Sequence, residues 1–221
     1  MSKYSSHCYK ENLEKLHREV DIYLEDKHDN PYYAYLNWRV SDGGKGYKFK
    51  EIAEGYLVSS ILVLSKSIEN HTERLGDATI FSIIFNILHG IELYLKSMLF
   101  IILDYCGNSG QPFDTGVWGH SVKYLLSEVK NQSTSLGLES ITCKDISILD
   151  DFFNKIFKYS DDVTFARYPY DKRNAEQFYV NMGKNIIIDM QVLTEWVKSI
   201  FYVLDRNFIN LSGELKSRNQ A

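Results

Sequence analysis

The sequence predicts an all-α protein, a bundle of four to five long helices with residues that could form a small β-hairpin before the last helix. Three observations predict this class. The 221 residues include only three prolines, and proline interrupts helices. Apolar residues recur at three- and four-residue spacing through several long segments, as they do on the buried side of a helix. Short stretches rich in Gly, Asn and Asp separate these segments and are typical of turns.

The first 48 residues are predicted to form a short helix and an aromatic loop that pack on the bundle. Within them, 12–26 place leucines and valine at helical spacing, with Glu and Lys between them. The following stretch, 27–48, contains Asn-Pro and Gly-Gly pairs among tyrosines and a tryptophan, which indicates a loop. The bundle itself is expected to span 49–210.

The bundle is predicted to begin with a helix over 49–69, followed by a more apolar one over 79–105 with Asp77 or Thr79 as its N-cap. The polar residues of this second helix fall on one narrow stripe, separated by 4, 3, 3 and 4 residues: Ser82, Asn86, His89, Glu92 and Lys96. The rest of its circumference is Ile, Leu, Phe, Tyr and Met. A helix that is apolar nearly all round belongs in the centre of a bundle.

The same apolar helix is long enough to cross a membrane, but the charges within it argue against a span. Each charge at the centre of a bilayer costs about 2.5–3.5 kcal/mol on insertion scales. The N-terminal residues lack the apolar stretch of a secretory signal. We therefore expect a cytoplasmic protein with no membrane contact.

Three further helices are predicted over 120–130, 141–160 and from about 190, the last with Asp189 as its N-cap. The segments Gln177–Val180 and Asn185–Ile188 flank an Asn-Met-Gly-Lys turn and could pair as a hairpin. Residues 211–221 are expected to fray, because chain ends are poorly held unless they pack.

Composition excludes several classes of function. The net charge of −4 argues against a protein that coats nucleic acid non-specifically, which needs a broad basic surface. Three cysteines stand without metal-ligand spacing and indicate reduced thiols. The segment Ser41–Lys48 contains Gly-Gly-Lys-Gly but lacks the spacing of a phosphate-binding loop. We therefore predict no metal and no cofactor.

The stripe residues His89, Glu92 and Lys96 have three interpretations. Glu92 precedes Lys96 by four positions, the favourable order for a helical ion pair, so the group could be a structural pair beside a core histidine. It could also be a buried polar site in which a neighbour shifts a pKa for proton transfer. A dimer seam is the third interpretation. His120, which follows a glycine at a helix start, is either a packing or capping residue or a general base.

The segment Phe165–Arg173 combines cations with aromatic residues. Arg167, Lys172 and Arg173 are interleaved with phenylalanine and tyrosines that include Tyr168. Basic and aromatic residues together suit single-stranded RNA, through phosphate pairing and base stacking. Alternatively, Tyr168 anchors a turn while Arg167 pairs with a carboxylate, either Glu92 or an aspartate.

Three motifs resemble HEPN domains, the helical bundles of prokaryotic toxins, defence systems and nucleotidyltransferase partners. LHGIELYLKSML, residues 88–99, resembles their central helix, which often reads His/Gln-x-x-Glu-x-x-x-Lys. GHSVKYLL, residues 119–126, is similar to the start of their next helix, with Val122 where Leu is common. FARYPYDK, residues 165–172, is similar to an Arg-Tyr-Pro-x-Asp-Lys segment of one branch. The likeness covers roughly 49–210.

The resemblance implies a bundle of four or five helices that pairs as a homodimer, and in many members a metal-independent ribonuclease. The signature of those ribonucleases is an Arg followed by a His after four to six residues. No Arg–His pair in this chain has that spacing; the nearest form is Arg173-Asn174 followed by Phe178-Tyr179.

The missing spacing leads us to expect a catalytically silent dimeric module of a defence or toxin-related system, contacting RNA or a partner protein. Its expected binding residues are Glu92, Lys96, Tyr168, Lys172 and Arg173. The alternative is a divergent endoribonuclease, for which the candidate catalytic residues are His89, His120, Arg167 and Arg173.

Overall fold

The computed structural model describes residue 34 and residues 44–70, 74–107, 120–138, 143–160, 163–171, 173–180 and 186–220. The chain divides into two compact units, Met1–Tyr35 and Leu36–Ala221. All the helices described belong to the second unit. The helix predicted over 12–26 and most of the predicted aromatic loop lie outside the described residues.

Five α-helices follow one another in the described ranges, and no strand is present there, so the predicted all-α bundle is confirmed. The helices are α1 (Lys45–Glu69), α2 (Leu75–Tyr105), α3 (Val122–Ser135), α4 (Cys143–Ile156) and α5 (Met190–Arg218). A short 3₁₀ turn, Val163–Ala166, lies between α4 and α5.

Helix α2 is the centre of the bundle, as its composition predicts. It packs against α1, α3, α5 and the 3₁₀ turn, and every residue from Gly90 to Ile102 is buried. Among the described residues it is also the one helix long and apolar enough to cross a membrane. Because neighbouring helices bury α2, its apolar residues belong to the core of the fold.

Two glycines allow α1 and α2 to approach each other closely. A Cβ atom on Gly90 would lie 2.8 Å from Cγ of Leu57, and one on Gly46 would lie 2.8 Å from the carbonyl oxygen of Ser97. Real Cβ atoms do not come this near to neighbouring atoms, so both positions require the absence of a side chain. The close contact fixes α1 beside the stretch of α2 that carries the polar stripe.

The predicted N-cap of α2 is wrong. The helix begins at Leu75, after Arg74 with a φ of 51°, so Asp77 and Thr79 lie inside its first turns. The Thr79 hydroxyl donates to the carbonyl of Leu75 at 2.8 Å. It therefore bonds back along its own helix instead of capping the helix start. By contrast, Asp189 caps α5 as predicted, accepting from the N–H groups of Gln191 and Val192.

The prediction of a frayed tail over 211–221 is also wrong, since α5 continues to Arg218. Leu211 and Leu215 are buried in the core. The Arg218 guanidinium donates to the carbonyls of Leu136 and Gly137 at 2.7 and 2.6 Å, which lie at the C-terminal end of α3. Cations are favourable there because the last carbonyls of a helix lack partners within it.

The hairpin predicted around 177–188 is not seen in the described residues that flank it. Phe178–Val180 form a turn, and 186–189 belong to no strand, while 181–185 lie outside the described residues. An antiparallel bridge instead joins Tyr170 to Glu176. The Asp171 side chain favours this earlier turn by accepting from the N–H groups of Arg173 and Ala175.

Candidate functional site

The carboxylate of Glu92 is the centre of a polar cluster at the middle of the bundle. Its Oε1 accepts from Nζ of Lys96 at 2.6 Å and from Nδ1 of His120 at 2.9 Å. Its Oε2 lies 3.5 Å from Nδ1 of His89. The structure thus brings together four of the residues singled out in the sequence.

The members of this cluster differ in their access to solvent. Glu92 and Lys96 are buried, while the side chains of His89 and His120 are 28% and 75% exposed. Glu92 and Lys96, predicted as binding residues, are therefore enclosed by the bundle. The two histidines are the members that a ligand can reach.

Two elements build the cluster. His89, Glu92 and Lys96 occupy one side of α2 because residues three and four positions apart are neighbours on a helix. His120 comes from the residue pair that precedes α3, where the Ser121 hydroxyl caps the helix by accepting from the Tyr124 N–H. Because Ser121 caps the helix, the His120 ring is not needed as a cap and turns towards Glu92.

Glu92 is held in its charged form by its three donors. Burial alone would raise the pKa of its carboxyl, but hydrogen bonds from His89, Lys96 and His120 outweigh burial and lower that pKa to about 2. A carboxylate with several donors prefers ionisation even inside a protein. Glu92 therefore carries a negative charge throughout the physiological pH range.

The charged carboxylate orients both imidazole rings. A neutral imidazole has one N–H and one acceptor nitrogen, and Nδ1 of His89 and of His120 faces Glu92. In the neutral state the proton sits on Nδ1, and Nε2 keeps an unshared electron pair. The mostly exposed His120 can then accept a proton or a hydrogen bond at Nε2.

His89 is further fixed by aromatic rings. Its ring stacks on Phe85 with centroids 5.6 Å apart and planes 9° apart, and it meets Tyr56 edge-on at 4.6 Å. Phe85 also contacts Arg167, whose guanidinium carbon lies 5.4 Å from the centroid of the Phe85 ring. One phenylalanine ring therefore contacts both Arg167 and the histidine.

Arg167 has a different role from the predicted pairing with Glu92 or an aspartate. Its guanidinium lies over the Tyr168 ring at 5.1 Å and donates to the Tyr168 hydroxyl at 3.1 Å. It forms no ion pair within the described part of the chain. The guanidinium rests on the rings of Phe85 and Tyr168 and is exposed, so water solvates its charge and no carboxylate partner is required.

The basic and aromatic segment forms an exposed turn beside the cluster. Tyr168 and Tyr170 are 51% and 48% exposed, and Arg173 is exposed at the tip of the turn. Phe165 is buried and fixes the start of the segment to the bundle. Lys172, predicted as a binding residue, lies outside the described residues.

A second polar cluster joins α1, α2 and α5 and was not predicted from the sequence. Lys50 pairs with Glu54 and, at 3.3 Å, with Asp205. The buried Tyr94 hydroxyl donates towards both carboxylates, at 3.4 and 3.3 Å, and burial together with these charges raises the pKa of Tyr94. The Lys50–Glu54 spacing signals a helical pair, but nothing in the sequence connects it to Asp205.

Two cavities of the described structure lie apart from the Glu92 cluster. One of about 780 Å³ lies between the C-terminal end of α1 and the first turns of α5. Another of about 570 Å³ lies beside the 3₁₀ turn and the first half of α2. None of the Glu92 cluster residues lines either cavity, and the cluster meets solvent mainly through the exposed His120 side chain.

No group of His, Cys, Asp and Glu side chains in the described ranges has the arrangement of a metal site. Comparison with family models, with curated proteins and with solved structures gave no match.

Proposed function

We propose that this protein is a HEPN-like, catalytically silent dimeric module that contacts single-stranded RNA, working in the cytoplasm in a prokaryotic defence or toxin-related system. One observation carries the RNA part of this proposal. The exposed Arg167 guanidinium is held between the rings of Phe85 and Tyr168, with Tyr170 and Arg173 exposed nearby in sequence.

Such an arrangement supports RNA contact for two physical reasons. A guanidinium that is stacked on rings loses little conformational freedom on pairing with a phosphate, since its plane is already oriented. Exposed tyrosine rings can stack on bases of any sequence. The acidic net charge of the whole chain favours a local contact of this kind over a broad nucleic-acid surface.

Fluorescence anisotropy with a labelled single-stranded RNA tests the proposal. Arg167→Ala and Arg173→Ala should each weaken binding at low salt, and each lost phosphate contact should reduce the slope of log K against log salt by about 0.7. Lys155→Ala is the matched control, because Lys155 is also an exposed cation over an aromatic ring, that of Trp196, at 5.9 Å. Wild-type protein that binds no RNA at about 50 mM salt, where phosphate contacts are strongest, would refute the RNA function and leave a protein-binding module.

The proposed dimer would use the outer side of α1 and α5. These helices pack against each other, and their outward apolar residues include Val58 (42% exposed), Leu62 (64%), Tyr202 (65%) and Ile209 (58%). Exposed apolar surface of this kind commonly marks an interface. Light scattering should give a dimer mass that Leu62→Glu with Tyr202→Glu converts to a monomer, while Tyr124→Glu on α3 leaves it unchanged.

A second function, a metal-independent endoribonuclease, is favoured by the Glu92 cluster. Two histidines are oriented by one carboxylate, and His120 is accessible, which suits proton transfer to and from RNA hydroxyl groups. Incubation of the purified protein with total RNA and EDTA distinguishes the two functions. Suppose that the wild type cleaves RNA, that His120→Ala loses this activity and that Tyr124→Ala, a control at another exposed residue, retains it. The protein would then be an endoribonuclease and not a catalytically silent module.

A further inference from the structure

The cavity of about 570 Å³ beside the 3₁₀ turn has aromatic walls. Its lining side chains come from α2, from the 3₁₀ turn and from the stretch before α5, and they include Phe81, Ile84, Phe165, Phe178, Tyr179 and Ile188. Phe81 is 40% exposed, and its ring centroid lies 4.8 Å from that of Tyr179. A planar group entering the cavity would therefore find an accessible ring face.

The same cavity offers polar groups on the wall formed by Ile186, Ile187 and Ile188. The main-chain N–H and C=O groups of these residues form no hydrogen bond with the described part of the chain. They are thus available as donors and acceptors. Asp77, the one carboxylate among the described lining residues, adds a strong acceptor.

The cavity lies close to Arg167, the cation that is proposed to contact RNA. Phe81 precedes Phe85 by four residues on α2, so the two rings lie on the same side of the helix, and Phe85 carries the Arg167 guanidinium. The Tyr179 hydroxyl donates to the carbonyl of Tyr168 at 3.1 Å. An aromatic cavity and an exposed cation are therefore parts of one surface.

We propose that this cavity receives one unpaired base of a single-stranded RNA whose backbone contacts Arg167; the inference rests on the RNA-contacting function proposed above. The size falls in the range of small-molecule sites, about 300–1,000 Å³. Proteins recognise single-stranded RNA by stacking a splayed base on an aromatic ring and hydrogen-bonding its edge. The Phe81 ring supplies the stacking surface, and the main chain of 186–188 with Asp77 supplies the edge contacts.

Positive charge beside the cavity favours this occupant over an apolar peptide. Arg167 is exposed and rests on Phe85, one helical turn from Phe81, and an apolar segment would give its charge no partner. A nucleotide uses both features at once, with its base in the cavity and its phosphate on the guanidinium.

The experiment compares a labelled single-stranded RNA with an oligomer of the same ribose-phosphate backbone that lacks bases. Wild-type protein should bind the RNA about tenfold more tightly than the abasic oligomer, which corresponds to stacking of one base. Phe81→Leu keeps the apolar side chain but removes the ring, so it should lose most of this difference, and what remains is the stacking of bases on the exposed tyrosines. Phe81→Trp, which retains a ring, should keep the difference.

Tyr124→Leu is the matched control, since it removes another exposed ring from a helix surface and should leave the difference intact. Equal binding of RNA and abasic oligomer by the wild type would overturn the base site and leave the phosphate contact at Arg167 standing. A difference as large in Phe81→Leu as in the wild type would also overturn it. Absence of any RNA binding would overturn both the base site and the RNA function.

Discussion

Nδ1 of His120 lies 2.9 Å from Oε1 of Glu92, and this hydrogen bond joins the residue pair before α3 to the middle of the central helix. The two residues are 28 positions apart in sequence. Their contact gives the buried Glu92 carboxylate a partner at the surface. The polar stripe of α2 is thus the side along which the central helix meets both solvent and a neighbouring element.

Glu92 should make stability depend on pH. Its folded-state pKa of about 2 lies below the ordinary value of 4.5, so its contribution is complete above pH 4.5 and declines as pH falls towards 2. The shift corresponds to about 3 kcal/mol at pH 6 and about 1 kcal/mol at pH 3. The difference in free energy of unfolding between wild type and Glu92→Gln, measured in urea, should therefore shrink by about 2 kcal/mol between these pH values.

The exposed residue Glu69 provides the control for that measurement. Its side chain is 65% exposed, so Glu69→Gln measures the general effect of removing one carboxylate charge. Subtracting this effect isolates the contribution of the buried site. A Glu92→Gln difference that stays constant from pH 6 to pH 3 would contradict the depressed pKa.

Lys96 should be strongly stabilising in spite of its polarity. Its side chain is 4% exposed and pairs with Glu92 at 2.6 Å, so Lys96→Met leaves a buried carboxylate without its ammonium partner. The expected cost is about 3 kcal/mol. Lys66→Met removes an exposed helical pair with Glu69 and should change stability by less than about 0.5 kcal/mol. Thermal unfolding of the two variants compares them directly, and equal melting temperatures would place Lys96 at the surface.

Two glycines of α1 should respond to alanine with opposite signs. Alanine at Gly46 would place its Cβ 2.6 Å from Cγ1 of Ile101 and 2.8 Å from a backbone oxygen, so we expect a loss of about 1–3 kcal/mol. Alanine at Gly55 meets no atom within 4 Å and should stabilise the helix by about 0.5–1 kcal/mol. Chemical denaturation measures both, and a stabilising Gly46→Ala would show that α1 and α2 are further apart.

The C-terminal turns of α5 should matter to the whole fold. Leu215 is 3% exposed, so Leu215→Ala should cost about 2–5 kcal/mol. Lys216→Ala, one position further on, changes an exposed side chain and should cost much less. If urea denaturation gave the two variants equal free energies of unfolding, the C-terminal turns would be frayed, as the sequence predicted.

Arg167 should contribute to binding and little to stability. It is exposed and rests on Phe85 and Tyr168, and exposed stacking of this kind contributes about 0.5–1 kcal/mol. The melting temperature of Arg167→Ala should therefore stay near that of the wild type. A fall as large as that of Lys96→Met would show that Arg167 also supports the Glu92 cluster.

Local periodicity was sufficient to predict the all-α class and the central place of α2. The stripe from Ser82 to Lys96 places Glu92 and Lys96 on one side of a helix by spacing alone, and the pairing that this spacing predicts is present at 2.6 Å. Asp189 is likewise a cap whose effect depends only on the residues next to it. Interactions within one helical turn are encoded in the order of the residues, because the helix itself sets their distance.

Tertiary structure decided which elements share the Glu92 carboxylate and which do not. His120 reaches it from another part of the chain, whereas Arg167 rests on the rings of Phe85 and Tyr168. Arg218 donates to carbonyls at the C-terminal end of α3, some 80 residues away in sequence. This contact holds the last turn of α5, which the sequence predicted to fray. No periodicity carries this information, because the distance between two helices depends on how all their side chains fill the space between them.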